Sequence, residues 1–219
     1  MSPNVPECSP KSLKVPKPMI NVNQLTSLQL DAVEYWHDRK FVLLKPENNL
    51  FAIVLEQHRF NFDLWHEEDI ARSPDVSDTE IARVKRRIDQ LNQKRNDGIE
   101  RMDTAVIEIL IENGVAPQPG ARINTETPGS AIDRLSIMSL RIFHLQEQFQ
   151  RSDTGWEHQQ LVSQRLERCF QQHSDLSQSL TELLDDIFSG NKILKVYHQF
   201  KMYNDPTMNP YLYNRKKTA

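Results

Sequence analysis

Leu64-Trp65-His66-Glu67-Glu68-Asp69 sets one imidazole beside three carboxylates. On a helix His66 and Asp69, three residues apart, reach toward one point, and an imidazole with a carboxylate suits zinc, iron or manganese. For proton transfer, His66, Glu67 and Asp69 are the candidate groups. The metal reading is the weaker one. The zincin pattern H-E-x-x-H lacks its second histidine, because Ile70 stands in that place. A di-iron bundle needs two E-x-x-H pairs, and a single one occurs, Glu34-x-x-His37. Solvated charges and helix-end ion pairs account for the segment without any ion. No cofactor is implied.

A second signal is polar residues standing where apolar ones are expected. His58 lies between Leu55 and Phe62 on an apolar helical face, Arg95 interrupts the series Leu91, Gly98, Met102, and His173 interrupts Cys169, Leu176, Leu180. Asp69, eleven residues after His58, returns to nearly the same face at about 100° per residue. A buried arginine needs a carboxylate or a bound anion, since an unpaired charge costs several kcal/mol. Two readings stay open: a structural polar network, with Asp69 as a partner for Arg95, or a ligand pocket built on the same residues.

The third cluster, Thr125-Glu126-Thr127-Pro128-Gly129-Ser130-Ala131-Ile132-Asp133-Arg134, opens a helix. Its plain role is capping. Its free first-turn N–H groups, with Arg134, also suit an anion. Asp133 and His144 are eleven residues apart and share a face, which suits an acid/base pair. No serine has a histidine and acid at credible spacing for a triad.

The elements that must position these groups are helices. The spacing predicts a first helix from about Asn23 to Asp38, a second from about Asn49 to Arg72, and a third from about Asp78 to Asn113, ended by Gly114. Ser77 with Glu80 is a capping box for the third helix. Its seam, Ile81, Val84, Ile88, Leu91, Arg95, Gly98, Met102, Ala105, Ile109, steps by three and four, as in a packed bundle. Thr127-Pro128 opens a fourth helix that is apolar almost all round and so belongs at the centre. A fifth runs from about Thr154 to Ser189, with Gly190 after it, and a short one from about Asn191 to Met202. The fold is all-α: an antiparallel bundle of five to six long helices over residues 23–202. Residues 1–22 form a Pro- and Lys-rich disordered tail, and residues 203–219 an extended aromatic segment that returns to pack on the bundle.

Composition narrows the function classes. The 219 residues carry 27 basic and 30 acidic side chains, a net charge of -3, which gives no general attraction to nucleic acid. Six glycines argue against Gly-rich phosphate loops. No apolar run is long enough for a membrane span. The two cysteines, Cys8 and Cys169, make neither a disulfide framework nor a thiolate zinc site. With no signal peptide at the start, the expected location is the cytoplasm.

Three segments in order carry a family resemblance: L-W-H-E-E-D from Leu64 with the Lys85–Asp97 run, N-T-E-T-P-G-S-A-I-D-R-L-S-I from Asn124, and K-M-Y-N-D-P from Lys201. Over roughly Leu50 to Tyr213 the chain resembles the bacterial domain of unknown function 4254. The resemblance implies a soluble bacterial protein of one domain and a link to envelope-glycan metabolism. It marks His66, Glu67, Glu68, Asp69, Arg95, Asn96, Asp133, Arg134, Tyr203, Asn204 and Asp205 as motif positions.

Two functions follow. The first is an accessory protein that binds a small anionic ligand or a protein partner, a homodimer included, through Arg95, Asn96, Arg134, His58, His173, Tyr203, Asn204 and Asp205. The alternative is an enzyme for an anionic, sugar-nucleotide-like substrate. Its site would lie between helices two, three and four, with His66, Glu67, Asp69 or Asp133 as acid/base groups. Either way, the motif residues are expected to converge in space.

Overall fold

The computed structural model describes residues 20–38, 46 and 48–214. The tail expected over residues 1–22 lies almost wholly outside the described residues. Five long helices make up the described chain: α1 Val22–His37, α2 Asn49–Ile70, α3 Asp78–Glu112, α4 Pro128–Gln150 and α5 Trp156–Phe188. A single turn, α6, spans Pro210–Tyr213. They form an all-α antiparallel bundle. No helix among the described residues is long and apolar enough to cross a membrane.

Local chemistry sets the ends. Asn21, Asn48, Ser77 and Thr127 each accept a hydrogen bond from the backbone N–H three residues on, as N-caps do. Pro128 fills the first turn of α4, where its missing N–H costs nothing. Gly114 and Gly190 end α3 and α5 at φ of 65° and 74°, conformations that side-chain-bearing residues rarely adopt.

The core sits where the seams predict. Val84, Ile88, Leu91, Gly98, Met102 and Ala105 are buried along α3, and Val162, Cys169, Leu180, Leu183 and Ile187 along α5. In α4, Ala131, Ile132, Leu135, Met138, Leu140 and Ile142 are buried, together with Ser136 and Ser139. Helix α4 is central: it packs against α1, α2, α3 and α5. Gly129 lets it come close to α3, since a Cβ there would stand 2.6 Å from the Ile99 carbonyl oxygen.

Two expectations are corrected after Gly190. The short helix predicted over Asn191–Met202 does not form. Instead Lys192–Ile193 (β2) pairs in parallel with Arg122–Ile123 (β1), and Gln118 donates its backbone N–H to Gly190 O at 2.9 Å. Backbone pairing with the α3–α4 connection replaces helical hydrogen bonds there. The chain then crosses α3, where Gln199 N–H and His198 both bond the Glu100 carboxylate, at 2.8 and 2.6 Å. The aromatic segment also departs from its expected packing. Met208, Tyr211, Leu212 and Tyr213 are exposed. Asn209 caps the turn by accepting from Tyr211 N–H, so the local turns close on themselves and leave the rings in solvent.

Candidate functional site

The polar seam residues of α1, α2, α3 and α4 join in one buried network. Asp133, 4% exposed, is its hub. Its Oδ1 accepts from Gln57 Nε2 at 2.6 Å, Asn61 Nδ2 at 2.9 Å and Arg95 Nε at 2.8 Å. Its Oδ2 accepts from Arg95 Nη2 at 2.5 Å. The bidentate pair to a carboxylate is the strong form of this contact, and it holds the Arg95 guanidinium above its usual pKa. The expected partner, Asp69, is exposed near the end of α2; Asp133 has taken its place.

The network continues through His58, which is fully buried. Asn61 Nδ2 also donates to Ser136 Oγ at 2.8 Å, and Ser136 Oγ lies 2.6 Å from His58 Nδ1. His58 Nε2 lies 2.8 Å from the Gln29 carbonyl oxygen. A carbonyl can only accept, so Nε2 carries the proton and Nδ1 accepts the Ser136 hydroxyl. Gln29 in turn donates to Ile132 O at 3.2 Å. Burial pushes the His58 imidazole down to about 4, against smaller opposing effects of the Gln29 carbonyl and the Asp133 charge.

Over this network opens a cleft of about 340 Å³ between α2, α3 and α4. Asn61, Leu64, Trp65, Ile137 and Leu140 line it, and Glu68, Asp69, Arg72, Asn92 and Arg95 bring charge and hydrogen-bonding groups. Arg95 retains 28% exposure of its side chain, so it serves both the network and the cleft. Arg72 pairs with Glu68 at 2.6 Å. Segments far apart in the chain thus meet: Leu64 to Arg72, Asn92 and Arg95, and Ile137. The K-M-Y-N-D-P segment approaches at the side, where Asn204 Nδ2 stands 3.4 Å from Gln93 Oε1.

Other expected residues lie elsewhere. The free N–H site at the start of α4 is filled from within, because Asp103 Oδ1 accepts from Gly129 N–H at 2.7 Å. Burial, partly offset by Thr127 and Gly129, raises the Asp103 carboxyl. Arg134 pairs with Glu126 at 3.2 Å and borders a separate groove of about 590 Å³ between α4 and α5. Asp133 and His144 do not pair, since Asp133 is committed to Arg95 and His144 Nδ1 lies 2.7 Å from Glu147. His173 is half-buried on α5, and burial lowers its pKa. Asn96 is half-buried on α3. Glu67 is half-buried, with Oε2 lacking a hydrogen-bond partner among the described residues. Asp205 accepts from Thr207 N–H and Oγ at 2.7 and 2.6 Å, a local turn. The Tyr203 side chain lies outside the described residues.

His66 belongs to a different group from the one expected. It stands with His37 of α1 and His144 of α4, one ring nitrogen of each within 4.8 Å of the others, and Asp69 takes no part in that group. Phe62, Trp65 and Phe143 enclose it: His37 stacks on Phe143 with centroids 4.1 Å apart, and His144 on Trp65 at 4.7 Å. Trp65 therefore separates the histidines from the cleft.

Gln29, Gln57, Asn61, Ser136 and Asp103 are buried polar residues that sequence reasoning missed. The signal for two of them was present: Gln57 and Asn61 form a polar stripe with His58 at helical spacing within Leu50–Leu64.

Neither a curated protein nor a solved structure matches this chain. A family model does, over residues 51–196, described as "Protein of unknown function (DUF4254)". Those residues take in α2 through α5 and hence most of the network and its cleft, so the chain belongs to the DUF4254 family.

Proposed function

We propose that the protein binds a small anionic, hydroxyl-rich ligand of the sugar-nucleotide class in the cleft between α2, α3 and α4. The observation that carries this reading is the saturation of Asp133 beneath a cleft bordered by Arg95. Four hydrogen bonds occupy the carboxylate, so it acts as a fixed support and not as a proton donor or base. Its cost in buried charge holds the guanidinium edge where a ligand can reach it.

The lining favours a ligand with two kinds of group. Arg95 and Arg72 suit a phosphate, and Asp69, Glu68 and Asn92 accept from hydroxyls. Leu64, Trp65 and Leu140 supply the apolar wall on which a sugar or base ring packs. The volume, about 340 Å³, is at the small end for such sites. The enzyme reading loses Asp133 to the network and His66 to the far side of Trp65, and of its acid/base candidates Asp69 alone lines the cleft.

The test is isothermal titration calorimetry of the full chain with uridine diphosphate sugars, and with glucose and inorganic phosphate as partial ligands. The expected result is saturable heat from the nucleotide sugar, weakened about 10-fold or more, that is at least about 1.4 kcal/mol, by Arg72→Gln and by Trp65→Leu. Saturable binding left unchanged in both variants would place the ligand elsewhere. Product release during incubation would favour the enzyme.

A further inference from the structure

We propose that His37, His66 and His144 form a binding site for one divalent transition ion of the zinc class, distinct from the ligand cleft and from any reading of it. The three residues come from three helices, α1, α2 and α4, and one ring nitrogen of each lies within 4.8 Å of the other two.

The hydrogen bonds decide which nitrogens face inward. His37 Nδ1 is 2.8 Å from Val33 O, and His66 Nδ1 is 2.8 Å from Phe62 O. Backbone carbonyls only accept, so both Nδ1 atoms carry protons and both Nε2 atoms carry lone pairs. His144 Nδ1 is 2.7 Å from the Glu147 carboxylate, which fixes the same tautomer. The Nε2 atoms of His37 and His144 are buried and have no hydrogen-bond partner among the described residues. Buried lone pairs without a donor are costly, and a cation shared among them removes that cost.

This is the arrangement of metal-ligating imidazoles in general: each outer N–H is held by a carbonyl or carboxylate, which sets ring orientation and basicity. Zinc–nitrogen bonds of about 2.0–2.1 Å put tetrahedral ligand atoms about 3.4 Å apart. From within 4.8 Å, adjustments of about an ångström in the rings suffice. Three neutral imidazoles suit zinc, cobalt, nickel or copper over magnesium or calcium. The fourth position is left for water or another small ligand. His144 keeps 20% exposure of its side chain, which gives a path inward past the enclosing rings of Phe62, Trp65 and Phe143. Glu147, 48% exposed, supplies negative charge against the ion from the outer side.

The probe is Zn²⁺ titrated calorimetrically into full-length protein freed of metal by a chelator, with Co²⁺ followed by its visible absorption. The expected result is one Zn²⁺ per chain, a raised thermal midpoint, and the intense bands of low-coordinate Co²⁺. His37→Gln and His144→Gln should abolish the uptake while keeping the helical circular dichroism. Glu147→Gln changes an exposed partner and preserves the fold. It should bind about 10–100-fold more weakly, so the test stands even if a histidine variant unfolds. His198→Gln, on the far segment beside Glu100, should bind as the parent does. No uptake by the parent protein would overturn the proposal. Uptake at parental affinity by Glu147→Gln, or by a folded His37→Gln or His144→Gln, would overturn it as well.

Discussion

Replacing His58 with glutamine tests the buried network through its dependence on pH. In the folded chain the His58 imidazole is pushed down to about 4 from an ordinary value of 6.5. Between those values the unfolded chain carries a proton on this ring and the folded chain does not. The unfolded state therefore binds more protons, and stability falls as pH drops through the window. The contribution is intact above about pH 6.5, and no further loss occurs below about pH 4. Each unit of the interval is worth about 1.4 kcal/mol, so the whole is about 3 kcal/mol, a large part of a typical folding free energy. The physical cause is burial. Charging the ring would also cost the Ser136 hydroxyl its acceptor at Nδ1, and the Asp133 charge recovers little of this. Glutamine can still donate to Gln29 O but does not titrate. Urea unfolding at a series of pH values from about 7.5 to 4, run on both proteins, reads the difference. The parent should lose about 3 kcal/mol more than His58→Gln over that range. Parallel curves would refute the assignment of a neutral, fully buried His58.

Asp133→Ala should cost about 3–5 kcal/mol in chemical denaturation, because it leaves the Arg95 charge unpaired and strands Gln57 and Asn61; a cost below 1 kcal/mol would mean the network contributes little. Gly129→Ala should cost about 1–3 kcal/mol, since the new Cβ meets the Ile99 carbonyl at 2.6 Å and Asp103 Oδ1 at 2.9 Å. Equal thermal midpoints for parent and variant would show that α4 can move off α3 freely. Deleting residues 205–219 should shift the thermal midpoint by less than about 2 °C, because the described apolar side chains there are exposed. A drop of several degrees would show that the segment packs.

The helices and their seams were legible because period and capping act locally. Asn48, Ser77 and Thr127 cap where their side chains allow, and the α3 seam buries as its spacing requires. The partners were less legible. Eleven residues bring a side chain back to the same face, but also about 16 Å along the axis. That rise explains why His58 and Asp69, or Asp133 and His144, share a face without meeting. Which helix lies beside which is set by tertiary packing, so Arg95 was readable as needing a carboxylate but not as needing Asp133. The same limit hid the histidine group: His37, His66 and His144 lie on three helices, and no spacing within one helix announces them. After Gly190 the backbone pairing of β1 with β2 overrode helical propensity, a choice made by a segment some seventy residues earlier in the chain.

Whether a ligand cleft rests on the Arg95–Asp133 pair is read by nuclear magnetic resonance on ¹⁵N-labelled protein titrated with a uridine diphosphate sugar. The Trp65 indole N–H and the Arg95 Nε–H should shift together and saturate at one ligand per chain, while the Trp156 indole, exposed at the start of α5, stays in place. Saturation that moves Trp156 and leaves Trp65 and Arg95 still, or no shift at all, would contradict it.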